Sequence, residues 1–261
     1  MLDNHELLKI LNSISAKDNY IPSPEDIIFE IENSLIGTLG NFVVFSGLPK
    51  TGKSTFINAA IASSFSDEYW IFKHRIKKGI SIGYFDTESA QPDFYNNRDR
   101  IKFMAKKETL SPSIKMFASR EYDPAMTKIL IECYIQTSGC KVILIDGLLD
   151  IINNFNDERE SRDVIQWLKL MTGKYNILII GVIHLGKKDN HTLGHFGSML
   201  DRYAQSTLEV SRDFENNIYS IKPKYLRSAK EWFTEVCVQW TGTEYMEVLP
   251  IPKPQQPHKK R

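Results

Sequence analysis

From residue 41 onward, continuous apolar runs alternate with stretches whose apolar residues recur every three to four positions. Phe42-Val43-Val44-Phe45 predicts a buried strand, and Phe56, Ile57, Ala60 and Ile61 predict a helix behind it. The runs 80–85 and 114–117 predict further strands, and Met126, Ile129, Leu130, Cys133 and Tyr134 mark one face of a second helix. A strand over 142–145, a helix through Val164, Ile165, Leu168 and Met171, and a strand over 177–183 follow. Strands that are apolar throughout, rather than at every second position, belong to a parallel sheet covered on both faces. After Ser206 the pattern changes: 206–211, 218–222 and 234–240 predict strands joined by short polar turns, an antiparallel extension of the same sheet. Ahead of this body, Leu7, Leu8, Ile10 and Leu11 have helical spacing and are followed by the Pro-interrupted stretch Ile21-Pro22-Ser23-Pro24. The expected division is a helical arm and lead-in over 1–36, one α/β domain over 37–249, and a disordered basic tail over 250–261.

Composition narrows the function classes only slightly. A length of 261 residues suits one large domain, and 42% hydrophobic with 25% charged residues excludes a wholly disordered chain. No apolar run reaches the ~18–20 residues that cross a bilayer, so no membrane partner is expected. The N-terminus lacks the basic start and apolar core of a secretion signal. Cys133, Cys140 and Cys237 show no metal-type pairing, and the expected location is the cytoplasm. The net charge of +1 conceals an asymmetry, because 250–261 holds four basic residues and no acid, leaving a slightly acidic body. Composition alone therefore does not point to nucleic acid.

Gly47-Leu48-Pro49-Lys50-Thr51-Gly52-Lys53-Ser54 carries the chemistry. It matches G-x-x-x-x-G-K-[ST] in full, with a strand before it and a helix after it. Such a loop curls so that successive N–H groups meet phosphate oxygens at a helix N-terminus. ATP and Mg2+ are the expected ligands. Lys53 would reach the β- and γ-phosphates, Ser54 would ligate the metal, and the nucleotide-binding set is Gly47, Lys50, Thr51, Gly52, Lys53, Ser54 and Thr55. Asp146, after four apolar residues, stands at a strand's carboxyl end, where it can hold Mg2+ beside Ser54 or cap the next helix. The next residue is Gly147, so the group that activates water must come from elsewhere. Asp86 and Glu88, at the end of the 80–85 run, are the two candidates.

A P-loop, a strand ending in Asp86-Thr87-Glu88 and a later strand ending in Asp146 together resemble the RecA-like P-loop ATPases. Within them the chain is most similar to the hexameric replicative helicases that include plasmid RepA-type proteins and related mobile-element ATPases. Lys50 in the P-K-x-G-K-S form of the loop and the lead-in Gly37-Thr38-Leu39-Gly40-Asn41 share in that likeness, which spans approximately residues 22–240. The resemblance implies a mainly parallel α/β sheet flanked by helices, and ATP hydrolysis with Glu88 polarising the attacking water. It makes His184, at the end of the 177–183 strand, a γ-phosphate sensor, and makes the following loop, with Lys187 and Lys188, a contact to single-stranded DNA. A second pore-facing loop falls at 153–161, and its Asp157-Glu158-Arg159-Glu160 is acidic, a departure that weighs against processive unwinding. Lys224 and Arg227 occupy the place where relatives complete a neighbour's ATP site, which implies a homo-oligomer, a hexameric ring by analogy. They could equally be solvated residues on a turn.

Other readings stay open. His184, Asp189, His191 and His195 could hold a metal, although Gly194 weakens a helix there. Arg98-Asp99-Arg100 could imitate the lid of a small-molecule kinase, and the ATP site could serve a nucleotide-gated regulatory or assembly module with no DNA motor. A partition-type ATPase would carry Lys at position 48, which is Leu48.

Overall fold

In chain order the elements are α1 (Asn4–Ile14), β1 (Ile27–Ile31), β2 (Ser34–Thr38), β3 (Phe42–Gly47), α2 (Lys53–Ser63), β4 (Phe72–His74), β5 (Ile82–Asp86), α3 (Gln91–Met104), β6 (Ile114–Ala118), α4 (Pro124–Ser138) and β7 (Val142–Asp146). The chain continues through a 3-10 turn (Leu148–Ile151), α5 (Glu158–Tyr175), β8 (Leu178–His184), α6 (Gly194–Tyr203), β9 (Ser206–Asp213), β10 (Ile218–Leu226), β11 (Val236–Trp240) and β12 (Met246–Leu249). This computed structural model describes residues 3–16, 27–66, 71–74, 80–186, 194–240 and 246–249.

Nine strands form one sheet in the order β12-β11-β10-β9-β3-β8-β7-β5-β6. The pairs from β9 to β6 are parallel and those from β9 outward to β12 are antiparallel. The α/β architecture and the antiparallel extension expected from the hydrophobic pattern are both present. Because side chains alternate along a strand, Val43 and Phe45 enter one core with Phe56, Ile57 and Ile61 of α2 and Ile101 of α3. Phe42 and Val44 enter the other, with Ile131 and Ile135 of α4, Val164 and Leu168 of α5, and Phe196 and Leu200 of α6. That double covering is why the parallel strands read as unbroken apolar runs.

Three details depart from the expected pattern. Residues 27–36, anticipated as part of the lead-in, form β1 and the start of β2 in a hairpin that runs on to Thr38, and its Ile28, Phe29, Ile31 and Ile36 join the first core. α4 is turned relative to its expected face: Thr127, Ile131 and Ile135 are buried, whereas Met126 and Ile129 are exposed. Consecutive apolar residues at 129–131 leave the inward face of that helix undetermined by period alone. β10 runs through Pro223 to Leu226, instead of stopping before the proline. Its pairing with β11 covers only Ile218–Ile221, so Pro223 meets no partner on that side and needs no donor there.

All parallel strands end at one edge of the sheet. Gly47 lies in register with His184, Asp86 with Asp146, and Asp146 with Val182. Ligands of open α/β sheets bind along this edge.

Candidate nucleotide site

Beyond β3 the chain bends through Lys50, at φ 65°, and Gly52, at φ 93°, before α2 opens at Lys53. Gly52 must be glycine for two reasons. Its backbone is left-handed, and a Cβ there would lie 2.5 Å from the Tyr219 ring. No side chain caps α2, so its first-turn N–H groups face the loop with the helix dipole behind them. The Lys53 ammonium is buried and donates to the carbonyls of Gly47 (3.0 Å) and Leu48 (2.7 Å). Burial lowers its pKa to about 8, against the pull of Glu88 and Asp146. Thr51 turns its hydroxyl inward, onto the Leu48 carbonyl at 2.8 Å.

Across the cleft, Asp146 is buried at the end of β7 and accepts a hydrogen bond from the Tyr84 hydroxyl at 2.8 Å. Burial raises its pKa to about 6; hydrogen bonds from Ser54 and Tyr84 oppose the shift, and the charges of Asp86 and Glu88 add to it. The Ser54 hydroxyl and this carboxylate are hard oxygen donors of the kind that suit Mg2+.

The two acids after β5 have different surroundings. Asp86 is buried, and its Oδ1 accepts from the N–H groups of Glu88 (3.1 Å) and Ser89 (2.8 Å), so it shapes the turn from within. Glu88 faces the cleft, and its carboxylate lies 3.1 and 3.2 Å from His184 Nε2. His184 Nδ1 is buried and has no hydrogen-bond partner among the described residues. A cleft of about 500 Å3 joins Lys50, the 52–55 segment including Thr55, Glu88, Asp146 and His184.

Four further residues line that cleft: Arg100 from α3, Val182 from β8, Arg212 from β9 and Tyr219 from β10. The Arg212 guanidinium lies 4.6 Å from the centre of the Tyr219 ring, and that ring rests against Gly52. Arg212 also donates to Asn217 Oδ1 at 2.7 Å, while its Nε has no partner among the described residues. Sequence reasoning missed Arg212 and Tyr219 and weighed Arg100 only as part of a lid. Arg98 and Lys102 instead pair with Asp99.

Lys224 and Arg227 are not in this cleft. Lys224 Nζ pairs with Asp201 of α6 at 2.7 Å, both largely buried, and Arg227 donates to the Arg202 carbonyl. Lys187, Lys188, Asp189 and His191 lie outside the described residues. In the 153–161 segment, Glu160 accepts from the N–H groups of Asn153 (2.6 Å) and Asn154 (2.9 Å), which holds its pKa below the ordinary value. That acid fastens its own loop.

A family model described as an AAA domain matches residues 25–190, well over half of the chain and every strand from β1 to β8. No curated protein matches the sequence. Among the described residues, no helix is long and apolar enough to cross a membrane.

Proposed function

Because this chain belongs to the AAA-domain family of P-loop ATPases, we propose that it is a RecA-like ring ATPase acting on DNA in the replication or mobilisation of a mobile element. The observation that carries the reading is the placement of Glu88. It faces the P-loop cleft from the turn after β5, the strand beside β7, with His184 against its carboxylate. In this reading Lys53 holds the β- and γ-phosphates of ATP, and its contacts with two loop carbonyls give way to phosphate oxygens. Ser54 and Asp146 would hold Mg2+, which neutralises charge on the phosphates when bound. Glu88 orients a water molecule toward the terminal phosphorus and accepts its proton as the new P–O bond forms and the bond to the β-phosphate's bridging oxygen breaks, leaving ADP and phosphate. His184 donates to the γ-phosphate and exchanges that contact for Glu88 after hydrolysis. Leu185 and Gly186 follow directly and lead to Lys187 and Lys188, so the state of the phosphate passes along one short piece of chain to two cations suited to a DNA backbone.

A nucleotide-gated assembly ATPase without motor activity is the second reading. The acidic run at 157–160 favours it, because those charges repel DNA where a pore loop should attract it.

Steady-state hydrolysis measured with and without single-stranded DNA tests the first reading. Glu88→Gln should lower kcat by about 10²–10⁴-fold while still binding a non-hydrolysable ATP analogue. DNA should raise the wild-type rate, and the increase should fade between about 50 and 200 mM salt as counterions compete. Wild-type turnover by Glu88→Gln would remove the assigned water-activating group. A rate indifferent to DNA at low salt would leave the assembly reading in place of the motor.

A further inference from the structure

The turn after β7 carries a carboxylate with no part in the chemistry above. Asp150 lies in the 3-10 turn Leu148–Ile151, and its Oδ2 is 2.7 Å from the Thr87 hydroxyl. That hydroxyl is also 2.9 Å from the Asp146 carbonyl and 3.1 Å from the Gly147 carbonyl. The Thr87 N–H donates to the Asp146 carbonyl at 3.2 Å. Thr87 is buried, and the next residue is Glu88. The peptide that presents Glu88 is therefore fastened to the segment 146–150 through Thr87.

Gly147 makes the junction possible. At its φ of 121°, an added methyl group would overlap the Thr87 hydroxyl, lie 2.7 Å from Asp150 Oδ2 and approach Glu88 Cγ to 3.0 Å. Thr87, Asp150 and Glu88 thus converge over the bare Cα of the residue that follows Asp146.

Hydrogen-bond accounting explains what Asp150 adds. A threonine hydroxyl has one proton and two lone pairs, and here three acceptor oxygens surround it. The hydroxyl donates to the Asp150 carboxylate, the nearest of the three at 2.7 Å, while the two carbonyls at 2.9 and 3.1 Å lie farther from the same proton. Burial raises the Asp150 pKa; the Thr87 contact opposes this and nearby Glu88 adds to it.

We infer that Asp150 is a positioning residue for Glu88, acting through the Thr87 hydroxyl and without touching the nucleotide. The inference rests on Glu88 as the water-orienting carboxylate. A small displacement of such a group is costly, since about 1 Å of misplacement can reduce a rate by about 10²-fold.

The test compares Asp150→Ala, Asp150→Asn, Thr87→Val and Thr87→Ser with Glu88→Gln. For each variant kcat, the KM for ATP, the affinity for a non-hydrolysable analogue and the thermal unfolding midpoint are measured. Asp150→Ala and Thr87→Val should each lose at least about tenfold in kcat while KM and analogue affinity stay within about twofold, the sign of an interaction that matters only in the reacting state. Asp150→Asn retains an amide oxygen that accepts from Thr87, and Thr87→Ser retains the hydroxyl, so both should keep most of the wild-type kcat. Combining Asp150→Ala with Thr87→Val should be no slower than the slower single variant, because both break one linkage. Wild-type kcat in Asp150→Ala overturns the inference. So do parallel losses of kcat and analogue affinity, an asparagine variant as slow as alanine, or multiplying losses in the double variant. Wild-type turnover by Glu88→Gln removes the underlying reading itself. An inactive Glu88→Gln beside a fully active Asp150→Ala removes only the role of Asp150.

Discussion

Asp146 and Lys53 sit in the same buried floor, and burial pushes each toward its neutral form, in opposite directions along the pH scale. The Asp146 carboxyl titrates at about 6 in the folded chain, against about 3.9 when unfolded. Between those values the folded state binds more protons, so stability falls as pH rises through roughly 4 to 6. The shift corresponds to on the order of 2–3 kcal/mol. Asp146→Asn mimics the protonated form and is relieved of that loss. Without nucleotide, the variant should match the wild type near pH 4 and exceed it above pH 6, by an amount denaturant unfolding can resolve. Parallel stability curves across that range would show that Asp146 is not strained by its burial. Lys53 gives the reverse slope: its folded pKa of about 8 lies below its ordinary value, so stability grows as pH rises from about 8 to 10.5. A site that binds its ligands through a carboxylate and an ammonium is thus least comfortable near neutral pH, where both are charged and desolvated.

At the scale of elements, the P-loop is a joint between a buried strand and an uncapped helix, held in shape by Gly52. Gly52→Ala places a methyl group at φ 93° and 2.5 Å from the Tyr219 ring, and left-handed backbone alone costs a non-glycine residue about 1–2 kcal/mol. We expect analogue affinity to fall at least about tenfold, the equivalent of 1.4 kcal/mol. Gly52→Ala combined with Tyr219→Ala should recover only part of it, because the second change removes the collision and leaves the strained backbone. Full recovery, read by calorimetric titration, would show that the ring and not the torsion makes glycine necessary. The same joint marks the limit of what the sequence discloses. Lys53 and Ser54 were legible because the phosphate loop uses adjacent residues. That Asp146, Glu88 and His184 would meet at one edge was legible because each follows an apolar run and parallel strands deliver their ends together. The roles given to Glu88 and His184 came from the family resemblance alone. Arg212 and Tyr219 were not legible, since their place depends on β9 lying beside β3, a pairing between residues over 160 positions apart. Asp150 escaped notice for a related reason: only the folded 3-10 turn brings it to Thr87.

At the scale of the whole molecule, Lys224 and Arg227 separate into two kinds of residue. Lys224 is committed within its own chain, with 19% and 14% of the two side chains exposed in its pair with Asp201. Removing Lys224 takes a close cation from a largely buried carboxylate, so Lys224→Ala should lower the thermal midpoint of the chain itself. Arg227 is exposed, and among the described residues its guanidinium holds a carbonyl of α6, so its loss should leave stability nearly unchanged. If the chain closes into a ring through head-to-tail contacts, Arg227 is therefore the residue free to reach a neighbour's phosphates. Glu88→Gln and Arg227→Ala are each expected to be inactive alone. In rings mixed at equal amounts, about a quarter of the interfaces pair an intact Glu88 with an intact Arg227, and hydrolysis should return to that order. A ring shown by mass measurement to contain both variants, yet inactive at every ratio, would mean that each chain completes its own ATP site. Arg100 and Arg212, already lining the cleft, would then be the cations that do so.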